Sequence, residues 1–232
     1  MIRKMFRWLL IAIGLVVALF LAYQGYVALR LWWWVDHNPT STAFMNARLS
    51  AMREKKPDAK LKHQWVPYEK ISSHLKRAIL VSEDDKFIDH EGFDWEGIQK
   101  ALEKNEKKGK VVAGGSTISQ QLAKNLFLSG ERSFIRKGEE AIITVMMEKI
   151  MNKERILEIY LNVIEWGDGV FGAEAAAQHY YSISAAKLSA EQSAKLAAMV
   201  PRPRFYDRNR NAPWLMKKTQ IILERMPRAQ LP

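Results

Sequence analysis

Cysteine is missing from the chain altogether. A disulfide framework, a thiolate zinc site and a cysteine nucleophile are therefore excluded. Histidine is thinly spread: His37, His63, His74, His90 and His179 include no pair at i,i+3 or i,i+4, the spacing that sets two imidazoles on one helical face. A zincin-type centre is disfavoured on that ground, and no protein metal site is expected. Alternating apolar and polar runs are also missing, as are an internal repeat and an Asp-x-Asp motif. A Rossmann-like sheet binding a nucleotide sugar is not expected. Gly109–Ser116 has the spacing of a Walker loop, but Gly115 stands where the phosphate-binding lysine belongs.

What is present is apolar, helical in pattern and basic. The 232 residues leave room for one membrane anchor and one domain of ordinary size. An apolar fraction of 48% is enough for a core, and a formal charge of +11 attracts phosphates or anionic lipid headgroups without dictating a fold. Because that charge is spread along the chain, and the domain is expected outside the cytoplasm, nucleic acid is not an expected partner.

Trp8 to Leu29 is a charge-free run of 22 residues bounded by Arg7 and Arg30. A helix rising about 1.5 Å per residue crosses a hydrocarbon core about 30 Å thick over that length. A cleaved signal peptide would have a shorter apolar stretch followed by small residues. Arg3, Lys4 and Arg7 precede the run and Trp32, Trp33 and Trp34 follow it, so the N-terminus is expected in the cytoplasm and the tryptophans at the outer interface. Residues 1–34 are thus expected to be cytoplasmic N-terminus and transmembrane helix. Residues 35–70, polar and broken by Pro39, Pro57 and Pro67, are expected to be a tether and lead-in, and 71–232 a mainly α domain.

Within that domain Asp94 is expected to cap a helix carrying Trp95, Ile98, Ala101 and Leu102. Ser116 or Thr117 is expected to cap another carrying Ile118, Leu122 and Leu126, with lysine-rich Glu103–Gly114 between them as a mobile loop. Further helices are expected through Ile142–Ile150, Lys153–Asn162, Ala173–Tyr181 and Trp214–Arg225. Ser189 and Gln192 form a capping box for a helix that Pro201 ends.

Three segments carry chemistry. In Glu83–Gly92 several acids follow the apolar run Ile79-Leu80-Val81, and a carboxylate against apolar neighbours has its pKa raised toward the range of a general base; Glu83 lies nearest that run. In Gly114–Asn125, glycines and hydroxyls lead into a helix N-terminus, a natural anion site. Gln121, Lys124 and Asn125, at i, i+3 and i+4, present one polar face beside it. In Arg136-Lys137-Gly138-Glu139-Glu140, Arg136 and Glu140 stand four residues apart on a helix, a spacing that an ordinary surface ion pair shares.

Together with Lys153–Asn162 and Trp166–Tyr181, these blocks resemble the glycosyltransferase family found in class A penicillin-binding proteins and in monofunctional biosynthetic peptidoglycan transglycosylases. The likeness runs from about Ile79 to Tyr206, and with no transpeptidase sequence after Pro232 the monofunctional enzymes are the nearer likeness. The resemblance implies a mainly α, lysozyme-like glycosyltransferase domain with a small membrane-proximal lobe, preceded by a single transmembrane helix. It implies a bacterial inner-membrane protein with a periplasmic catalytic domain, polymerising lipid II onto a growing glycan strand with inversion at the anomeric carbon and release of undecaprenyl pyrophosphate. It casts Glu83 as the base, Glu140 as the acid that assists pyrophosphate departure directly or through a divalent cation (Mg or Mn), and Thr117, Gln121, Lys124, Asn125 and Arg136 as the donor-site lining. Tyr160 and Asn162 are read as structural support. Partners are the membrane, the lipid-linked substrate and cell-wall synthesis or division proteins. One departure is plain: Pro201 stands where bifunctional members carry lysine, with Arg202 and Arg204 as the nearest cations. The competing readings are a lytic transglycosylase or muramidase, which has no use for a lipid anchor or a pyrophosphate pocket, and a non-enzymatic membrane-anchored scaffold.

Overall fold

The computed structural model describes residues 2–110, 114–128 and 133–232. A single long helix, α1 (Ile2–Asp36), opens the chain. It is long and apolar enough to cross a membrane, as expected of a single-pass anchor. Its first two-thirds leaves large apolar side chains such as Trp8, Leu15 and Leu19 exposed, whereas Val27, Leu31 and Trp34 are buried against the domain. Burying each such side chain contributes about 1.5–3 kcal/mol, so the end of α1 is a structural element of the domain as well as an anchor.

The segment 35–70 departs from the expected irregular tether. It folds as α2 (Ala43–Arg53), the short strand β1 (Lys62–His63) and a 3-10 turn at Tyr68–Lys70. Thr42 caps α2 by accepting from the Met45 amide, and Met45 is buried in the core. One fully buried residue in a helix is too weak a periodic signal to read in a sequence; the segment is held by side chains far along the chain. The Asn162 amide bonds both the N–H and the carbonyl of Val66 at 2.9 Å, and Arg48 on α2 meets Glu165 at 3.3 Å.

The remaining helices follow the expected apolar spacing closely. They begin with α3 (Ser73–Glu83) and α4 (Trp95–Lys108), the second capped by Asp94 accepting from Gly97 N. The lysine-rich stretch expected as a loop from Glu103 is helical through Lys108, because Glu and Lys are good helix formers. The left-handed Gly109 closes that helix, and residues 111–113 lie outside the described part. There follow α5 (Ile118–Phe127), α6 (Phe134–Ile150), α7 (Lys153–Val163), strands β2 (Glu165–Gly167) and β3 (Val170–Phe171), α8 (Ala173–Tyr181), α9 (Ala190–Met199), α10 (Pro203–Arg208) and α11 (Pro213–Arg225). Capping boxes open α5 (Thr117/Gln120) and α9 (Ser189/Gln192).

Strands are short. β3 lies between β1, to which it is parallel (Lys62↔Val170, His63↔Phe171), and β2, to which it is antiparallel. Around them Trp166, Tyr160, Phe87, Phe171 and Leu75 are fully buried. Two packings position the site: α3 against α9 and α11, and α5 against α6 and α7.

Candidate active site

Glu83 is the last residue of α3 and lines a cleft of about 220 Å3 whose opposite wall is Gly114–Thr117 at the start of α5. Its side chain is 10% exposed. The carboxylate is held on both oxygens. Ser82 Oγ donates to Oε1 at 2.9 Å, Gln121 Nε2 donates to Oε2 at 3.2 Å, and Lys218 Nζ stands 3.7 Å from Oε1. Burial pushes the Glu83 carboxyl up from its ordinary range, and Lys218, Gln121 and Ser82 pull part of the way back. The Gln121 amide is in turn fixed, because the fully buried Tyr160 hydroxyl donates to its Oε1 at 2.9 Å.

Beside it Asp84 turns the other way. It accepts from His90 Nε2 at 3.0 Å and from the Ile118 amide at 2.9 Å, while Gly92 N donates to His90 Nδ1. That pair of bonds sets the Nε2–H tautomer of the imidazole. It also changes the reading of the α5 N-terminus. Asp84 and the Thr117 side chain take the amides of Ile118 and Gln120, so the protein's own carboxylate occupies the place expected for a substrate anion. Thr117 lines the cleft, but its hydroxyl also donates to Gly92 O at 2.7 Å. Asn125 is buried and donates to the Gln121 carbonyl. Both residues thus support α5, whose outward polar face is Gln121 and, one turn on, half-buried Lys124.

The other candidates come from α6. Glu140 is buried on this helix and ion-paired with Lys137, one turn earlier. One turn later Thr144 lies under Gly92, close enough that a Cβ on that glycine would come within 2.7 Å of Thr144 Cγ2. The face of α6 that carries Glu140 therefore packs toward the loop bearing Asp84 and His90. Arg136 lies elsewhere. It lines a groove with Tyr23 of α1, Phe127 and Leu128 at the end of α5, and Glu139. The structure thus sets Glu83 and Thr117 on one cleft, bonds Gln121 to Glu83, puts Lys124 on the same helix face as Gln121, and leaves Arg136 in a groove beside α1.

Two cations were missed by the sequence reading. Lys137 lies inside the block containing Arg136 and Glu140, and its i,i+3 spacing to Glu140 was available. Lys218 stands in the last helix, on the stripe that carries buried Leu215 and Ile222. It interrupts that stripe, but nothing local pairs it with Glu83. Of the cations near the Pro201 departure, Arg204 is paired with Glu165 at 3.4 Å and Arg202 lies over the Phe205 ring. Among the described residues no three His, Cys, Asp or Glu side chains gather as a metal-binding group. Glu140, with its lysine partner, does not supply a donor set for Mg or Mn on its own.

A buried carboxylate braced by a glutamine and a lysine beside a polar cleft, in a helical domain, is the setting of a general base. Comparison with known proteins narrows this. A profile of the Transglycosylase family matches residues 49–227. The chain is 64% identical over 229 residues to the biosynthetic peptidoglycan transglycosylase of Dechloromonas aromatica, covering 97% of this chain and 98% of the relative. It is 61% identical over 231 residues to the proteins of that name from Janthinobacterium sp. (strain Marseille) and Herminiimonas arsenicoxydans, covering 100% of this chain and 99% of each relative. The chain belongs to the transglycosylase family, and it is a glycosyltransferase of peptidoglycan synthesis. The family match begins at residue 49, inside α2, in keeping with the folded state of the segment expected to be a tether.

Proposed function

We propose that the chain extends glycan strands from lipid II, with Glu83 as the general base and the leaving pyrophosphate neutralised on the α5–α6 side. The observation that carries this reading is the environment of Glu83: a carboxylate raised in pKa by burial, fixed through Gln121 to the core, and still open to a cleft. As the acceptor sugar hydroxyl attacks the anomeric carbon, its proton passes to Glu83 and the bond to the pyrophosphate oxygen breaks, with the electron pair leaving on that oxygen. Inversion follows from attack opposite the leaving group. Lys124, Arg136 and Lys137 supply positive charge for the departing pyrophosphate, and Glu140 sets the position of Lys137. A divalent cation, Mg or Mn, would have to take most of its ligands from the substrate, and EDTA added to the assay decides whether one is needed.

The anchor supports a lipid-linked donor. The groove holding Arg136 contains Tyr23, a residue inside the apolar run, and next to it Phe134 and Ile135 stand 98% and 86% exposed at the start of α6. Such side chains fit the level of the headgroups and acyl chains. Arg3, Lys4 and Arg7 in the first turns of α1 and the tryptophans at its end support an N-terminus in the cytoplasm and a domain on the outer face of the inner membrane.

The test is polymerisation of lipid II by the full chain, with products resolved by length. Wild-type protein should give long strands, and Glu83→Gln should lose at least about 100-fold in rate, the contribution ordinary for a general base. Full activity in that variant overturns the assignment. Release of soluble muropeptides from finished sacculi would instead favour a lytic enzyme.

A further inference from the structure

Lys218 reaches Glu83 from α11, beyond the blocks read in the sequence but within the family match to residue 227. Helix α11 packs on α3 and α9 with Leu215 and Ile222 buried, and Lys218 lies between them on the same face, three residues after the first and four before the second. Its side chain is 20% exposed, and its ammonium stands 3.7 Å from Glu83 Oε1 and 5.6 Å from the centre of the Trp214 ring. At 3.7 Å this is an ion pair without a well-formed hydrogen bond.

The arrangement divides the two carboxylate oxygens. Oε1 faces both Ser82 Oγ and Lys218 Nζ; among the described residues Oε2 has one donor, Gln121 Nε2. A carboxylate oxygen offers about two lone-pair sites, so Oε2 keeps one directed away from these partners. We propose that Lys218 is a positioning residue for the reaction: its ammonium engages Oε1, keeps Glu83 ionised in a buried setting, and leaves Oε2 to take the proton of the acceptor hydroxyl. This rests on Glu83 being the base. Lys218 keeps its own proton throughout; the proton gained by Glu83 returns to solvent after each transfer.

The other groups around the pair act differently. Just past α3, Asp84 is committed to His90 and the α5 amide. From α5 come Gln121 and, one turn on, Lys124; from α7 comes the Tyr160 hydroxyl, which bonds Gln121; from α9 comes the Ala197 carbonyl, 3.3 Å from Ser82 Oγ. Asp85 and Asp94 line the same cleft. Of these, Lys218 is the charge that opposes the effect of burial on Glu83 most strongly.

The experiment measures kcat/KM for lipid II polymerisation against pH in the full chain for wild type, Glu83→Gln, Lys218→Met and Lys218→Arg, with thermal unfolding of each. An opposite charge at this range moves a carboxylate by about 1–3 pH units. Lys218→Met should therefore shift the acid limb upward by about that amount and lower kcat more than it raises KM, and Lys218→Arg should restore the limb. A Lys218→Met profile that superimposes on wild type, with Glu83→Gln inactive, removes the role of Lys218 and leaves the base in place. An active Glu83→Gln variant removes the base itself. Should Lys218→Met fail to fold, Lys218→Gln takes its place, and a Lys218→Arg limb displaced as far as that of the uncharged variant also counts against the proposal.

Discussion

Glu83 and Lys218 are each held in a state that folding disfavours. Burial raises the pKa of Glu83 and lowers that of Lys218. A carboxyl raised on folding contributes stability below its unfolded pKa and loses it as pH rises through the folded value; a lysine lowered on folding contributes above its unfolded pKa and loses it as pH falls through the folded value. Wherever both groups are ionised, each carries its charge against a folding penalty. Replacing such a pair with uncharged groups of similar volume is often neutral or stabilising by about 1–4 kcal/mol. The double variant Glu83→Gln/Lys218→Met should melt at or above the wild-type temperature while lacking polymerase activity; a clear drop in melting temperature would show the pair to be a net structural support. The same environment fixes the pH dependence of the wild type. Activity needs the ionised base, so kcat/KM should fall with decreasing pH at a point above the ordinary carboxylate range, and an acid limb at or below that range would contradict the burial of Glu83. Glu83 was legible in the sequence because it adjoins an apolar run inside a recognisable block. Lys218 was not, because its partner lies 135 positions away and nothing local requires a charge there.

At the level of elements, the site depends on how α5 and α6 are held to the loop between α3 and α4. Gly92 is the contact point. It has φ +93, its carbonyl accepts from Thr117, and a Cβ would lie 2.7 Å from Thr144 Cγ2 and 3.2 Å from Glu148 Cγ. Gly92→Ala thus meets a strained backbone and forces α6 outward, costing on the order of 1–3 kcal/mol in unfolding and weakening polymerisation by displacing Glu140. Chemical denaturation read against activity checks this, and wild-type values in both would mean that the loop and α6 are not rigidly joined. Thr117→Val removes the α5 cap and should cost about 1–2 kcal/mol by itself. These helices were legible because periodicity and caps agree, as at Asp94, Thr117 and Ser189. The segment before α3 was not, since α2 is tied to Glu165 and the chain at Val66 to Asn162, partners that no local pattern announces.

On the scale of the whole molecule, the long apolar helix α1 and the domain share a packed joint. Arg155 on α7 donates to Trp34 O at 2.8 Å, His37 O at 2.7 Å and Asn38 Oδ1 at 3.0 Å, and is itself paired with Glu158 at 2.6 Å. It thereby satisfies carbonyls that the end of a helix leaves open and ties α1 to the element that carries Tyr160, the residue behind Gln121. A cleft oriented relative to the bilayer through this joint meets a lipid-linked substrate in a restricted set of poses, and small misplacements of reacting groups cost up to about 100-fold in rate. Arg155→Ala removes these bonds from the joint and leaves the packing of Val27, Leu31 and Trp34 in place. Its polymerisation rate should fall by roughly tenfold in vesicles, where orientation matters, and by much less in detergent micelles, where the substrate can approach from any side. Equal losses in the two settings would mean that Arg155 acts on the catalytic domain itself, through α7, and that the angle between anchor and cleft does not govern the reaction.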